Sequence, residues 1–138
     1  MINAIHKLIE DRDSGHLRIG YTRRHESDPI GTIAARLGLA EDDELYTGIT
    51  EAEATRILKH LLGADLAYGA ALNFDRRALA EVVSGYDDAT WFTNLVSHDG
   101  YKDFSAGSAN AATGASYDAG IIIVAGNVAV GIWVEDED

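Results

Sequence analysis

The chain contains no cysteine and only one proline, Pro29. The lack of cysteine excludes disulfide bonds, thiolate metal sites and cysteine nucleophiles, and it agrees with a reducing, cytoplasmic location. The longest uncharged run covers residues 119–134, which is sixteen residues and includes Gly126-Asn127. A membrane-spanning helix needs about 20 apolar residues, so none is expected, and the N-terminus lacks the apolar core of a signal peptide.

Basic residues are also scarce, because 11 Lys and Arg face 23 Asp and Glu, for a net charge of -12. The imbalance is uneven along the chain. Residues 1–84 hold fourteen acids and ten bases (-4), whereas residues 85–138 hold nine acids and a single base, Lys102 (-8). Such a negative field repels nucleic acid and anionic membranes and attracts basic proteins. The charge therefore indicates a type of partner and says nothing about a reaction.

Sequence motifs that would identify a reaction are missing as well. The chain has no Gly-x-x-x-x-Gly-Lys-Ser/Thr, no Gly-x-Gly-x-x-Gly, no Gly-x-Ser-x-Gly and no His-Glu-x-x-His. Residues 105–116 are rich in Ala, Gly and Ser, which is the composition of a linker, and we expect a mobile loop over about 97–116. No cofactor and no metal site is predicted.

Helical patterns dominate the first 84 residues. Apolar residues spaced as on one helix face begin at Ile30, and Asp28 is the expected N-terminal cap of that helix. A capping box, Thr50 to Glu53, predicts the start of the next helix, and Asp75 predicts the start of a third.

Strand patterns dominate the remainder, although His16 to Thr22 also alternates like a strand. Residues 121–124 and 128–134 flank Ala125-Gly126-Asn127, which predicts a tight hairpin whose first arm is covered on both faces. We therefore expect an α+β fold in a single domain, residues 1–138. Its N-terminal helices pack on a largely antiparallel sheet that ends in a C-terminal β-hairpin, followed by an acidic tail, residues 135–138.

The leading functional hypothesis is a non-enzymatic binding protein of the inhibitor or immunity type. It would neutralise a basic protein partner, such as a nuclease or a toxin, by copying the charge pattern of nucleic acid. Trp133, next to the tail, is either a core residue or an aromatic contact. The predicted partner-binding residues are Asp87, Asp88, Asp99, Asp103, Trp133, Glu135, Asp136, Glu137 and Asp138.

Two alternatives remain open. In the first, the protein is a nucleotide- or phosphate-binding module or a modest enzyme. Arg23, Arg24 and His25 would bind phosphate before a helix N-terminus, and His98 with Asp99 would perform acid–base chemistry. In the second, the protein is a structural subunit of an assembly, and its charge serves only solubility. The oligomeric state is not determined by the sequence.

Overall fold

The computed structural model of the protein describes Lys7 and residues 16–63, 74–96, 112–115 and 117–136. These residues form three α-helices and one five-stranded antiparallel sheet, which confirms the predicted α+β class. The predicted mobile loop and the last two residues of the predicted tail lie outside the described residues, apart from residues 112–115 of the loop.

Nine secondary structure elements follow one another along the described residues. They are β1 (His16–Arg23), α1 (Ile30–Arg36), a short 3-10 helix (Asp43–Leu45), β2 (Thr47–Ile49), α2 (Glu51–Gly63), α3 (Arg76–Ser84), β3 (Thr90–Thr93), β4 (Tyr117–Ala125) and β5 (Val128–Asp136). The strand order in the sheet is β1-β5-β4-β3-β2, so β1 and β2 are the two edges.

The β4–β5 hairpin is the centre of the molecule. Its two strands pair in continuous register from Tyr117↔Asp136 to Ala125↔Val128, and the turn between them is Gly126-Asn127. Gly126 adopts a left-handed conformation (φ 57°), which a two-residue hairpin turn requires and which glycine adopts without steric cost. The predicted hairpin is therefore confirmed.

Both faces of this hairpin are buried, as its apolar first arm predicts. On one face Ile121, Ile123 and Ile132 belong to a core that includes the inward stripes of α2 and α3. On the other face Ile122 and Trp133 pack with residues of α1 and with Tyr46. Successive strand residues point to opposite faces, so an unbroken apolar run serves both cores.

Helix starts follow the predicted signals in two of three cases. The Glu53 amide donates to the Thr50 hydroxyl (3.1 Å) and the Thr50 amide donates to the Glu53 carboxylate (3.0 Å), which is the expected capping box. The Asp75 carboxylate accepts hydrogen bonds from the amides of Arg77 and Ala78, as a cap of α3 should.

The predicted cap of α1 is wrong. Asp28 accepts hydrogen bonds from the His25 amide (2.7 Å) and from Arg36 (2.5 Å) instead of capping the helix. The Gly31 amide at the start of α1 donates to Asp43 (2.7 Å), twelve residues away. The start of α1 is therefore stabilised by a tertiary hydrogen bond from the Gly31 amide to Asp43 and not by a local cap. The same hydrogen bond connects the 3-10 helix to α1.

Candidate partner-binding surface

Trp133 is a core residue and does not serve as an exposed contact. Its side chain is 1% exposed, its ring meets that of Tyr46 edge-on at a centroid distance of 6.4 Å, and its indole Nε1 donates to Asp118 (3.0 Å). The neighbouring strand β4 has a glycine, Gly120, opposite Trp133. A β-carbon at Gly120 would clash with the Trp133 ring and with the Ile132 carbonyl oxygen. We therefore remove Trp133 from the predicted contact residues.

Asp118 is a buried carboxylate, although it contributes to the acidic imbalance on which the hypothesis depends. It is 3% exposed and accepts four hydrogen bonds. The donors are Asn94 Nδ2 (3.2 Å), the Ala112 amide (3.0 Å), the Thr113 amide (3.3 Å) and Trp133 Nε1 (3.0 Å). Donors that converge in this way compensate the loss of water, so the carboxylate has a structural role in tying residues 112–113 to the sheet.

The predicted acidic tail is partly a strand. Glu135 and Asp136 are the last two residues of β5, and Asp136 is fully buried. Glu135 Oε1 lies 3.1 Å from Arg18 Nε in an ion pair between neighbouring strands, although the geometry falls short of a hydrogen bond. These two carboxylates thus extend β5, and their assignment to an outward-facing tail is wrong. Glu137 and Asp138 lie outside the described residues.

Asp87 and Asp88 are exposed, as a contact role requires. They form the turn between α3 and β3, and Asp88 has a positive φ of 52°. Aspartate tolerates this left-handed conformation better than most residues other than glycine. Asparagine tolerates it equally, so an Asp88→Asn substitution removes the charge and preserves the turn.

A second group of acids, Glu41 to Glu44, lies in the N-terminal segment and is not among the predicted partner-binding residues. All four residues are exposed, and they lead through the 3-10 helix into β2. Asp42 and Asp43 also accept backbone hydrogen bonds, from Glu44 and Gly31 respectively. The run of four carboxylates is visible in the sequence, whereas only the strand order shows that it leads into an edge strand.

These acids meet around β2. The register Thr47↔Thr93 and Ile49↔Trp91 places Glu41–Glu44 at one end of β2 and places Glu51, Asp87 and Asp88 at the other. We call the group the β2-edge acidic surface. It comprises Glu41–Glu44, Thr47–Ile49, Glu51, Asp87 and Asp88. Within the described residues none of its seven carboxylates forms an ion pair with Lys or Arg.

Among the described strands only β1 carries Lys or Arg. At the opposite edge of the sheet β1 carries Arg18 and Arg23, and Arg24 follows directly. The other described cations are Lys7 and residues of the three helices, namely Arg36, Arg56, Lys59, Arg76 and Arg77. Among the described strands, cations are therefore confined to the edge opposite β2, whereas carboxylates occur both beside β2 and on the central strands, as Asp118, Glu135 and Asp136.

The proposed phosphate site before α1 already contains the protein's own carboxylates. Asp43 accepts a hydrogen bond from the Gly31 amide, and Asp28 forms an ion pair with Arg36. The hydrogen bond from Arg36 lowers the pKa of Asp28 below its usual value, and the hydrogen bond from the His25 amide lowers it further. Arg24 donates from Nη1 to the Glu26 carbonyl (3.4 Å), and its buried Nε has no hydrogen-bond partner within the described residues.

Arg24 and Asp28 also line a cavity of about 160 Å³, together with Ile30, Ile33, Thr90, Phe92 and Val124. A carboxylate in the wall of this cavity disfavours an anionic ligand. Arg23 and His25 are exposed. His98 and Asp99, to which the alternative assigns acid–base chemistry, lie outside the described residues. Asp103 of the leading hypothesis also lies outside them.

Two further findings concern other kinds of site. Among the described residues, no three His, Asp or Glu side chains are placed to hold a metal ion. The same part of the chain has no helix with the length and apolar character needed to cross a membrane.

Comparisons with known proteins found no match to a family model, to a curated protein or to a solved structure. The function is therefore inferred from the geometry and charge of the described residues.

Asp118→Ala should destabilise the fold strongly. The substitution removes the acceptor of the buried Ala112 amide and of Trp133 Nε1, and that of the part-buried Thr113 amide, while Asn94 Nδ2 keeps the residue-118 carbonyl (3.0 Å). Each unsatisfied buried group costs about 1–3 kcal/mol, so we expect a loss of about 3 kcal/mol. Urea unfolding measures the change, with Asp87→Ala as the matched control at an exposed carboxylate, for which we expect a change within about 0.5 kcal/mol. Similar losses for the two variants would contradict the structural role of Asp118.

Tyr46 should make stability depend on alkaline pH. Burial, assisted by the negative charges of Asp118 and Asp42, raises the pKa of its hydroxyl from 10.0 to about 12. As pH rises, the hydroxyl therefore ionises at a lower pH in the unfolded state than in the folded state. The stability contributed by the protonated hydroxyl is complete below pH 10 and declines as pH rises from 10 through 12.

Urea midpoints of the protein and of Tyr46→Phe at pH 9 to 12 test this dependence. The phenylalanine variant loses the hydrogen bond from Tyr46 to the Ala40 carbonyl (2.6 Å) and should be about 1 kcal/mol less stable at pH 9. The difference should narrow above pH 10, because only the tyrosine ionises. A constant difference would show that folding leaves the pKa of the hydroxyl unchanged, and a widening difference that folding lowers it; either result would contradict the prediction.

Proposed function

We propose that the protein is a non-enzymatic binding protein that docks its β2-edge acidic surface on a basic protein, in the manner of an inhibitor or immunity protein. The observation that supports this most directly is the group of exposed carboxylates around β2, none of which forms an ion pair with Lys or Arg within the described residues. The arginines of β1 lie at the other edge of the described sheet. A cytoplasmic location belongs to the same proposal.

The contact residues differ from those that the sequence favoured. Asp87 and Asp88 stay in the proposed surface, while Trp133, Glu135 and Asp136 leave it because they are buried or paired within the fold. Glu41–Glu44 and Glu51 take their place. The hypothesis of an acidic contact surface is retained, but its position has moved from the C-terminus to the β2 edge.

Electrostatics favours such a surface for fast association. Exposed carboxylates that form no ion pair within the described residues present a negative field to solvent, which decays over about 8 Å at physiological salt. Complementary fields of this kind speed encounter with a basic protein and orient it before contact. A partner that binds nucleic acid is the natural target, because its cleft already favours an array of negative charges.

The test compares two variants that lose the same charge. Asp87→Asn/Asp88→Asn removes two charges from the β2-edge acidic surface, and Glu26→Gln/Glu81→Gln removes two from exposed positions outside it. A partner captured from the native host by the unaltered protein is identified and purified, and its affinity for each form is measured by calorimetry at 50 and 300 mM salt.

We expect the surface variant to bind about 3- to 10-fold more weakly at 50 mM salt and the control to bind normally, since each exposed charge contributes about 0.2–1 kcal/mol. The difference should shrink at 300 mM salt through screening. Equal weakening in both variants would mean that net charge alone matters. Failure to capture any basic partner at either salt concentration would remove the proposal.

A further inference from the structure

The outer edge of β2 is open in the part of the chain that the structure describes. β2 pairs only with β3, Thr47 and Gly48 are exposed, and a β-carbon built at Gly48 would meet no atom within 4 Å. Edge strands expose unpaired backbone N–H and C=O groups, and proteins usually protect them with a lysine, a proline or a bulge. Thr47-Gly48-Ile49 contains neither lysine nor proline.

We propose that β2 is a docking strand to which an extended, basic segment of the partner adds as a sixth strand. This inference rests on the proposed function, and it specifies how the β2-edge acidic surface would recognise its partner. Main-chain hydrogen bonds to a sheet edge supply affinity in such complexes, and the flanking side chains supply specificity.

The geometry of the surface determines the pattern of the segment. Three residues of β2 match three residues of an incoming strand, a length of about 10 Å at 3.3 Å per residue. Residues of the incoming segment that extend beyond these three paired residues then lie beside acids of this protein. These acids are Glu41–Glu44 at one end of β2 and Glu51, Asp87 and Asp88 at the other. The matching segment therefore has β-branched residues at its centre and Lys or Arg on both sides.

A second copy of this chain is a weaker candidate for the same edge. Within the described residues β1 is the other edge strand, and its Arg18 and Arg23 are complementary in charge to the β2-edge acidic surface. However, Arg18 is engaged with Glu135 and reaches the Gly38 carbonyl (3.5 Å). Pairing of β1 with β2 of the next copy would also leave free edges at both ends, so it would produce open-ended filaments.

The experiment uses a synthetic peptide, Arg-Lys-Thr-Val-Thr-Lys-Arg, with blocked termini and a fluorescent label, and measures binding by anisotropy. Two analogues probe the backbone. One carries an N-methyl group on the central Val, and the other carries N-methyl groups on both Thr residues. Since alternate amides of a strand face the same neighbour, only one analogue loses hydrogen bonds to β2.

We expect the parent peptide to bind and one analogue to bind about 5- to 10-fold more weakly, as the loss of a backbone hydrogen bond implies, while the other binds like the parent. Asp87→Asn/Asp88→Asn should weaken the parent peptide, and Glu26→Gln/Glu81→Gln should leave its affinity unchanged.

Three outcomes would overturn strand addition. If both analogues bind like the parent, docking is purely electrostatic, and the proposed function stands without this mode. If the parent peptide does not bind, whereas the partner captured from the host does, the edge is not the recognition element. Concentration-dependent self-association of the protein that the peptide does not reverse, measured by sedimentation, would assign the edge to a second copy.

Discussion

The burial of the β4–β5 hairpin on both faces is the constraint on which the remaining structure depends. Ile121 and Ile123 face one way and Ile122 faces the other, so two separate layers must cover the same pair of strands. Helices α2 and α3 supply the first layer. The second layer is thinner and consists of α1 with the 3-10 segment, which the hydrogen bond from the Gly31 amide to Asp43 joins together. The acidic residues before β2 are therefore exposed on a segment whose other contacts complete the core.

Much of this fold could be predicted from local patterns. The capping box at Thr50, the cap at Asp75 and the hairpin turn at Gly126 each depend on neighbouring residues, and each forms as expected. The start of α1 could not be predicted in this way, because Asp28 had two possible uses and the deciding contacts come from Arg36 and Asp43, which are distant in sequence. Local signals determine an element, whereas tertiary contacts determine which of several local partners a side chain uses.

The candidate surface was less predictable, because a count of charges along the chain does not distinguish exposed carboxylates from buried ones. Asp118 and Asp136 are buried and Glu135 is paired, so much of the apparent C-terminal excess among the described residues is structural. A carboxylate in the interior needs converging donors, and those donors come from segments far apart in sequence. Conversely, the run beginning at Glu41 gained importance only when the sheet order placed it beside an edge strand. The position of the exposed carboxylates therefore could not be predicted from composition, because it depends on the strand order of the fold.

The most direct test of the central claim is an NMR titration of the isotopically labelled protein with the cationic heptapeptide at low salt. If the peptide docks at β2, the largest changes in amide chemical shift lie in residues 41–51 and 86–93, around both ends of β2. The amide chemical shifts of residues 16–24, at the opposite edge of the sheet, then remain nearly unchanged. Shift changes concentrated on β1 or β5, or spread evenly over the described sheet, would contradict it.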